Sequence, residues 1–240
     1  MTTIANNLQQ VLGRMARACQ AAGRVPESVS LLAVSKTFPA SAVAEAAAAG
    51  QRDFGENYIQ EGVDKIAALR ATLPGGQLVW HCIGPIQSNK TRLVAEHFDW
   101  AHTVDRLKIA ERLSAQRPPD LAPLQVCIQV NIDGGANKSG VAPDDALALA
   151  RAVAKLPRLT LRGLMAIPEP ANGFDAQLAV HQRARALFDT LRALAPESGL
   201  EAFDTLSLGM TADLDAAIHA GSTLVRVGTG IFGGRSYPAA

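Results

Sequence analysis

From Ile4 onward, apolar side chains recur at three- and four-residue intervals: Ile4, Leu8, Val11, Leu12, Met15 and Cys19. That spacing places them on one face and predicts an amphipathic helix over Ile4–Ala22, closed by Gly23 and Pro26. Beyond it, short apolar runs alternate with longer, alanine-rich stretches of helical period. The runs predict strands over Ser30–Thr37, Asp53–Tyr58, Gln77–Gly84, Trp100–Asp105, Gln125–Ile132, Leu161–Ile167, Thr205–Met210 and Leu224–Thr229. The stretches between them predict helices over Ala40–Ala49, Ile59–Ala71, Ser88–His97, Arg106–Gln116, Asp144–Lys155, Asp175–Ala195 and Ala212–Ala220.

Strands separated by helices pair in parallel. An open, doubly wound sheet would satisfy the alternation too. Eight strands in a chain of 240 residues favour closure, so the predicted fold is a (β/α)8 TIM barrel with an extra N-terminal helix. No Pro/Gly/Ser-rich linker or shift in composition divides the chain, and residues 1–240 read as a single domain.

Composition changes this picture little. With 48% hydrophobic and 19% charged residues, the chain can bury a core without staples. A net charge of +1 gives no electrostatic case for nucleic acid or an acidic membrane, although one pocket can still hold an anion. Cys19, Cys82 and Cys127 cannot all pair with one another, and they read as small buried hydrophobes in a reducing compartment. No CxxC or Cys/His cluster suggests a metal site. Met1–Asn7 lacks the basic start and apolar core of a signal peptide, and no run approaches the roughly 20 apolar residues of a membrane span. The expectation is a soluble, cytoplasmic protein.

In such a barrel the chemistry lies at the C-terminal ends of the strands, where the βα loops gather. The first predicted strand leaves an apolar run through Ser35-Lys36-Thr37. Partial desolvation there would lower the pKa of Lys36 and make its neutral, nucleophilic amine accessible, as Schiff-base formation requires. A lysine that reaches solvent or pairs with a carboxylate would look the same. The seventh strand leads into Leu208-Gly209-Met210-Thr211, and the eighth into Val227-Gly228-Thr229-Gly230. Glycines allow backbone N–H groups to approach an anion, and Ser207 and Thr229 add hydroxyls, at the place where these barrels often hold a phosphate. Ordinary turn glycines and a helix cap at Thr211 are the plainer alternative. Arg226, between two valines in the eighth strand, needs either a carboxylate partner or a bound ring to face.

Other strand exits carry Asn57, His81 and Met165. Lys138, in a glycine-rich loop, reads as a solvated charge or as a candidate for a second ligand site. His97, His102, His181 and His219 fall on helices or at strand starts and receive no chemistry.

A nucleophilic lysine and a phosphate cradle facing one cavity suit an aldehyde that carries a phosphate. Pyridoxal 5′-phosphate and a sugar-phosphate aldolase substrate both fit that description. The segments Ala33-Val34-Ser35-Lys36-Thr37, Phe54-Gly55-Glu56-Asn57-Tyr58, Trp80–Lys90, Lys138-Ser139-Gly140, Gly163-Leu164-Met165, Leu206–Asp213 and Val225–Gly233 decide between them. Over nearly its whole length the chain closely resembles the pyridoxal phosphate homeostasis protein family, relatives of the N-terminal barrel of alanine racemase. The resemblance implies that Lys36 forms the Schiff base with pyridoxal phosphate and that Arg226 faces the ring nitrogen. It implies that Ser207, Gly228 and Thr229, with Gly209, Met210 and Thr211, hold the phosphate, and that Asn57, His81 and Met165 surround the ring. Two positions depart from the family pattern: Thr211 replaces serine, and Gly230 replaces alanine, which should loosen that loop. Asp213 would oppose a phosphate unless it points away.

An arginine beside the ring nitrogen disfavours its protonation and weakens the ring as an electron sink. Racemisation needs an acid/base group on each face of the substrate. Alanine racemases draw one from a second domain, and nothing places Tyr58 or Tyr237 opposite Lys36. The expectation is therefore a non-enzymatic protein that stores, buffers or delivers the cofactor, with PLP-dependent apoenzymes as recipients, and that is monomeric. A weak racemase or decarboxylase-like enzyme is the alternative, and a cofactor-free aldolase a remoter one.

Overall fold

The computed structural model describes residues 3–72, 78–135, 138–194 and 200–234. Helix α1 (Ile4–Ala21) precedes a regular alternation. In order these elements are β1 (Ser30–Val34), α2 (Ala40–Ala48), β2 (Asp53–Glu56), α3 (Ile59–Thr72), β3 (Val79–Cys82) and α4 (Thr91–His97). Then come β4 (Trp100–Val104), α5 (Leu107–Gln116), β5 (Leu124–Gln129), α6 (Ala146–Ala154), β6 (Leu159–Met165) and α7 (Phe174–Ala193). The barrel finishes with β7 (Thr205–Ser207), α8 (Leu214–His219), β8 (Leu224–Val227) and the single turn α9 (Thr229–Phe232). All eight strands are parallel and pair in sequence order. The barrel closes where β1 meets β8, with Ser30 opposite Leu224 and Ala33 opposite Val227.

Each predicted strand runs one to three residues past the end of the observed ladder: to Thr37 where β1 stops at Val34, and to Met210 where β7 stops at Ser207. Beyond the ladders, apolar residues such as Ile83 and Ile167 mix with polar ones such as Lys36, Asn57 and Thr229, and together they line the barrel mouth. Thr211 does not cap a helix either, since Asp213 is the residue before α8. Gln77, Ala136, Asn137, Ala195 and Tyr237 lie outside the described residues.

Apolar residues form two separate bodies. The larger fills the shell between strands and helices and includes Leu8, Met15 and Cys19 from α1, which packs against α2, α8 and α9 and so covers the β8–β1 seam. The ion pair between Arg14 and Asp215, at 2.6 Å, ties α1 to α8 from outside. Burying a side chain such as Leu8 is worth about 1.5–3 kcal/mol. The smaller body, Leu32, Val34, Ile83 and Leu224, lies inside the barrel. The buried His81, His102, Ser207 and Arg226 lie on β3, β4, β7 and β8. Barrels of this class usually fill their interior with branched apolar side chains, so these polar groups need partners.

The three cysteines are buried and unpaired, and burial pushes the thiols of Cys82 and Cys127 up to about 12, which keeps them protonated. Among the described residues no helix is long and apolar enough to cross a membrane.

Candidate functional site

Lys36 follows the last residue pair of β1 in a tight turn. Thr37 adopts φ +68°, a left-handed conformation that costs a residue with a branched β-carbon. Its N–H donates to Glu61 Oε1 at 2.6 Å, which offsets that cost. On the other side of Lys36, Ser35 is buried, and its hydroxyl donates to Glu56 Oε1 at 2.6 Å. Lys65 joins the two carboxylates. Its Nζ donates to Ser35 O (2.8 Å), Glu56 Oε1 (2.8 Å) and Glu61 Oε1 (2.6 Å), which occupies all three ammonium hydrogens. Both chain neighbours of Lys36 are thus moored to one buried charge cluster. Burial pushes the Glu56 carboxyl up; Lys65 and the hydroxyl of Ser35 pull it back only in part, and it stays above its ordinary value.

At the barrel mouth, Lys36 lines a cavity of about 300 Å³ with Val34, Asn57, Ile83, Ile167, Met210, Thr211, Ala212, Arg226, Gly228 and Thr229. Asn57 is set by a close approach between the second and third strand exits. A Cβ on Gly84 would lie 2.0 Å from the Asn57 carbonyl oxygen, so only glycine fits there. Thr229 and Thr211 face each other, with their hydroxyl oxygens 3.3 Å apart. Met210 turns its N–H away from the cavity to Asp213 Oδ1, at 2.7 Å.

Among the described residues, Arg226 has no carboxylate partner within ion-pair distance. Its Nη1 donates to the carbonyl (2.8 Å) and hydroxyl (2.7 Å) of Ser207, and Nη2 donates to Ala166 O at 3.1 Å. Three of its five N–H groups hold it to the barrel wall, which leaves two for a ligand. Burial lowers its pKa to about 10, so it remains a cation at neutral pH.

Behind Arg226 a chain of hydrogen bonds crosses the barrel interior. Ser207 Oγ lies 3.3 Å from His102 Nδ1, His102 Nε2 lies 2.9 Å from His81 Nδ1, and His81 Nε2 lies 3.1 Å from Asp53 Oδ1. Burial pushes His102 well below the ordinary histidine value, and His81 and Arg226 add to this, so its ring is neutral. One orientation satisfies every link. Each group donates toward Asp53, whose carboxylate only accepts.

Of the residues singled out from sequence, Lys36, Asn57, Met210, Thr211, Arg226, Gly228 and Thr229 come together on this cavity. Ser207 and His81 lie beneath it, buried and bonded to Arg226 and His102. Gly209 is buried in a turn at φ +86°, where its carbonyl accepts the Arg226 N–H at 3.0 Å. Met165 is fully buried, and Ile167, two residues on, lines the cavity in its place. Lys138 pairs with Glu169 at 3.4 Å. Sequence reasoning missed His102, which stands in the middle of β4 rather than at its start. Its alternation with Ala101 and Thr103 is the signal that it faces inward.

The chain was compared with known families, proteins and structures. Residues 6–236 match the family of the alanine racemase N-terminal domain. A pyridoxal phosphate homeostasis protein of Pseudomonas aeruginosa is 60% identical over 239 residues, covering 100% of this chain and 99% of that protein. One from Escherichia coli K12 is 56% identical over 237 residues, covering 99% of each. The structure of PipY from Synechococcus elongatus with PLP bound superposes with a TM-score of 0.76 at 37% identity, over 91% of this chain and 100% of that one. These likenesses establish that the chain belongs to the pyridoxal phosphate homeostasis proteins, within the alanine racemase N-terminal domain family.

Proposed function

We propose that this protein binds pyridoxal 5′-phosphate as a Schiff base on Lys36 and acts in its intracellular storage, buffering or delivery without robust catalysis. The observation that carries the reading is that Lys36 and Arg226 line one cavity with Thr211, Gly228 and Thr229. The donor set suits the cofactor. A primary amine matches an aldehyde, a guanidinium with two spare N–H groups matches an unprotonated ring nitrogen, and two hydroxyls beside Gly228 match a phosphate. A volume of about 300 Å³ is at the small-ligand end of protein cavities. When bound, the cofactor supplies an electrophilic aldehyde.

The chain's own residues account for the rest. The charge cluster under Ser35 and Thr37 holds the Lys36 backbone in place. Asn57, Ile83 and Ile167 wall the ring, while Ser207 and His81 act behind Arg226 as positioning residues. Among the described residues, Lys36 and Arg226 are the only ionisable groups on the cavity, and Tyr58 is exposed and does not line it. That leaves no second acid/base group for racemisation, which supports a carrier over an enzyme. The working unit is the 1–240 chain as a cytoplasmic monomer, with PLP-dependent apoenzymes as recipients.

Visible absorbance after incubation with pyridoxal phosphate, then borohydride reduction and peptide mass mapping, tests this. A band that disappears on reduction, with the adduct on Lys36 and lost in Lys36→Ala, is the expected result. An adduct found only on other lysines would overturn it. Robust turnover of any amino acid in a panel would replace the carrier with an enzyme.

A further inference from the structure

Asn7, Val11 and Arg14 stand four and then three positions apart in α1 and so share one face of that helix. That face meets the two loops that bring Thr211 and Thr229 to the Lys36 cavity. Arg14 works as a fork. Its Nε and Nη2 donate to the Asp215 carboxylate of α8, at 3.1 Å and 2.6 Å, and its Nη1 donates to the carbonyl of Thr211 at 2.7 Å. A guanidinium is planar and holds its N–H groups at fixed angles, so the carboxylate on one edge sets the carbonyl on the other. Asp215 offsets the charge of Arg14, and what Arg14 passes to the cavity is the position of Thr211. The neighbours of Thr211 are pinned from elsewhere. Gly209 O accepts the Arg226 N–H at 3.0 Å, and Asp213 accepts the Met210 N–H at 2.7 Å and pairs with His181 at 2.9 Å. Among the described residues, the main-chain hydrogen bond at Thr211 itself comes from α1.

The other loop needs α1 for a different reason. Thr229 opens α9, a single turn of four residues, and one turn fixes more backbone than its few hydrogen bonds return. Asn7 Nδ2 donates to the carbonyl of Ile231 in that turn, at 2.9 Å. Val11 packs beneath it, with Cγ2 at 3.4 Å from where a Cβ on Gly230 would lie. With both loops held, the hydroxyls of Thr211 and Thr229 face each other at 3.3 Å, close enough to donate to one phosphate group. Neither Asn7 nor Arg14 lines the cavity.

We propose that α1 is part of the cofactor site: Arg14 and Asn7 are positioning residues that hold the two hydroxyls together and so set the preference for phosphorylated over unphosphorylated ligands. The inference rests on the reading that the phosphate of pyridoxal phosphate lies against Thr211, Gly228 and Thr229. A displaced hydroxyl gives up a hydrogen bond to a charged group. The ring, which meets Lys36, Asn57, Ile83 and Arg226, keeps its contacts.

Pyridoxine 5′-phosphate and pyridoxine carry a hydroxymethyl group in place of the aldehyde and cannot form a Schiff base. The ratio of their affinities therefore reads the phosphate loops without Lys36. In calorimetric titrations of cofactor-free protein, the wild type should favour the phosphorylated compound. Arg14→Lys keeps the cation and loses the planar fork, and Asn7→Ala loses the amide. Each should weaken pyridoxine phosphate about tenfold, near the value of one hydrogen bond to a charged group, and pyridoxine less than about twofold. In Thr211→Ala protein, Arg14→Lys should add less than about twofold, because the hydroxyl through which it acts is gone. Equal weakening of both compounds, as a purely structural role of α1 would give, overturns the proposal even if Lys36 takes up the cofactor. So does no weakening in either variant, or a wild type that favours neither compound. The expected ratios in a protein that gives no borohydride-reducible band with pyridoxal phosphate would instead overturn the Lys36 reading and leave the role of α1 standing.

Discussion

At the scale of single residues, Thr211 and Gly230, the two positions that the resemblance marks as departures, stand against each other. A Cβ on Gly230 would sit 3.3 Å from Thr211 Cγ2, 3.0 Å from Val227 Cγ1 and 3.4 Å from Val11 Cγ2. The methyl group that distinguishes threonine from serine at 211 therefore crowds the space that alanine's methyl would need at 230, and Val227 crowds it more closely. Gly230→Ala should then cost about 1 kcal/mol, as overpacking outweighs the entropic gain of removing a glycine. Adding Thr211→Ser should return part of that, with a coupling of about 0.5 kcal/mol or more in a double-mutant cycle from urea unfolding. Strictly additive effects would refute the compensation. Sequence alone displayed both positions and could not join them, since 18 positions lie between 211 and 230 and only the fold brings them together.

At the scale of elements, α3 acts as a strap over the turn that carries Lys36. Glu61 and Lys65 stand four residues apart on one helical face. Gly62 lets that face come close: a Cβ there would lie 2.7 Å from Phe98 Cζ and 3.2 Å from Glu56 Cβ. Lys65→Met would leave Glu56 as a buried carboxylate with no cation, and should cost about 3–5 kcal/mol in urea unfolding. Glu61 is partly exposed, so Glu61→Gln should fold normally yet weaken the charge-assisted hold on the N–H of Thr37. It should therefore slow the uptake of pyridoxal phosphate by Lys36 while leaving stability within about 1 kcal/mol. Unchanged uptake in Glu61→Gln would show that the strap only stabilises the fold. Every strand, and every helix but the single turn α9, was visible in the hydrophobic period. The strand ends were not, because apolar residues such as Ile83 and Ile167 continue past the ladder to wall the cavity. The strap was also hidden, since a lysine in a helix of ordinary polarity gives no sign that all three of its hydrogens are used.

For the whole molecule, eight alternating units and 240 residues made closure legible, whereas the polar interior was not. Period-two patterning marks which residues face inward but not which of them find partners, and His102 looked idle until Ser207 and His81 were seen on either side. That interior ties stability to pH. Folded His102 stays neutral well below its ordinary 6.5, while the unfolded chain takes up a proton there. Its contribution is therefore complete above pH 6.5 and is lost as pH falls, at up to about 1.4 kcal/mol per unit. Glu56 works in the opposite sense. Its raised carboxyl takes up a proton in the folded state first, so its penalty is greatest at high pH and eases as pH falls. Urea unfolding at pH 7.5, 6.5 and 5.5 should show stability falling on acidification. His102→Gln should flatten the curve, and Glu56→Gln should steepen it by removing the opposing contribution. Should His102→Gln keep the wild-type slope, the proton responsible lies outside the chain from Arg226 to Asp53, and the neutral, donor-ordered form of that chain is wrong.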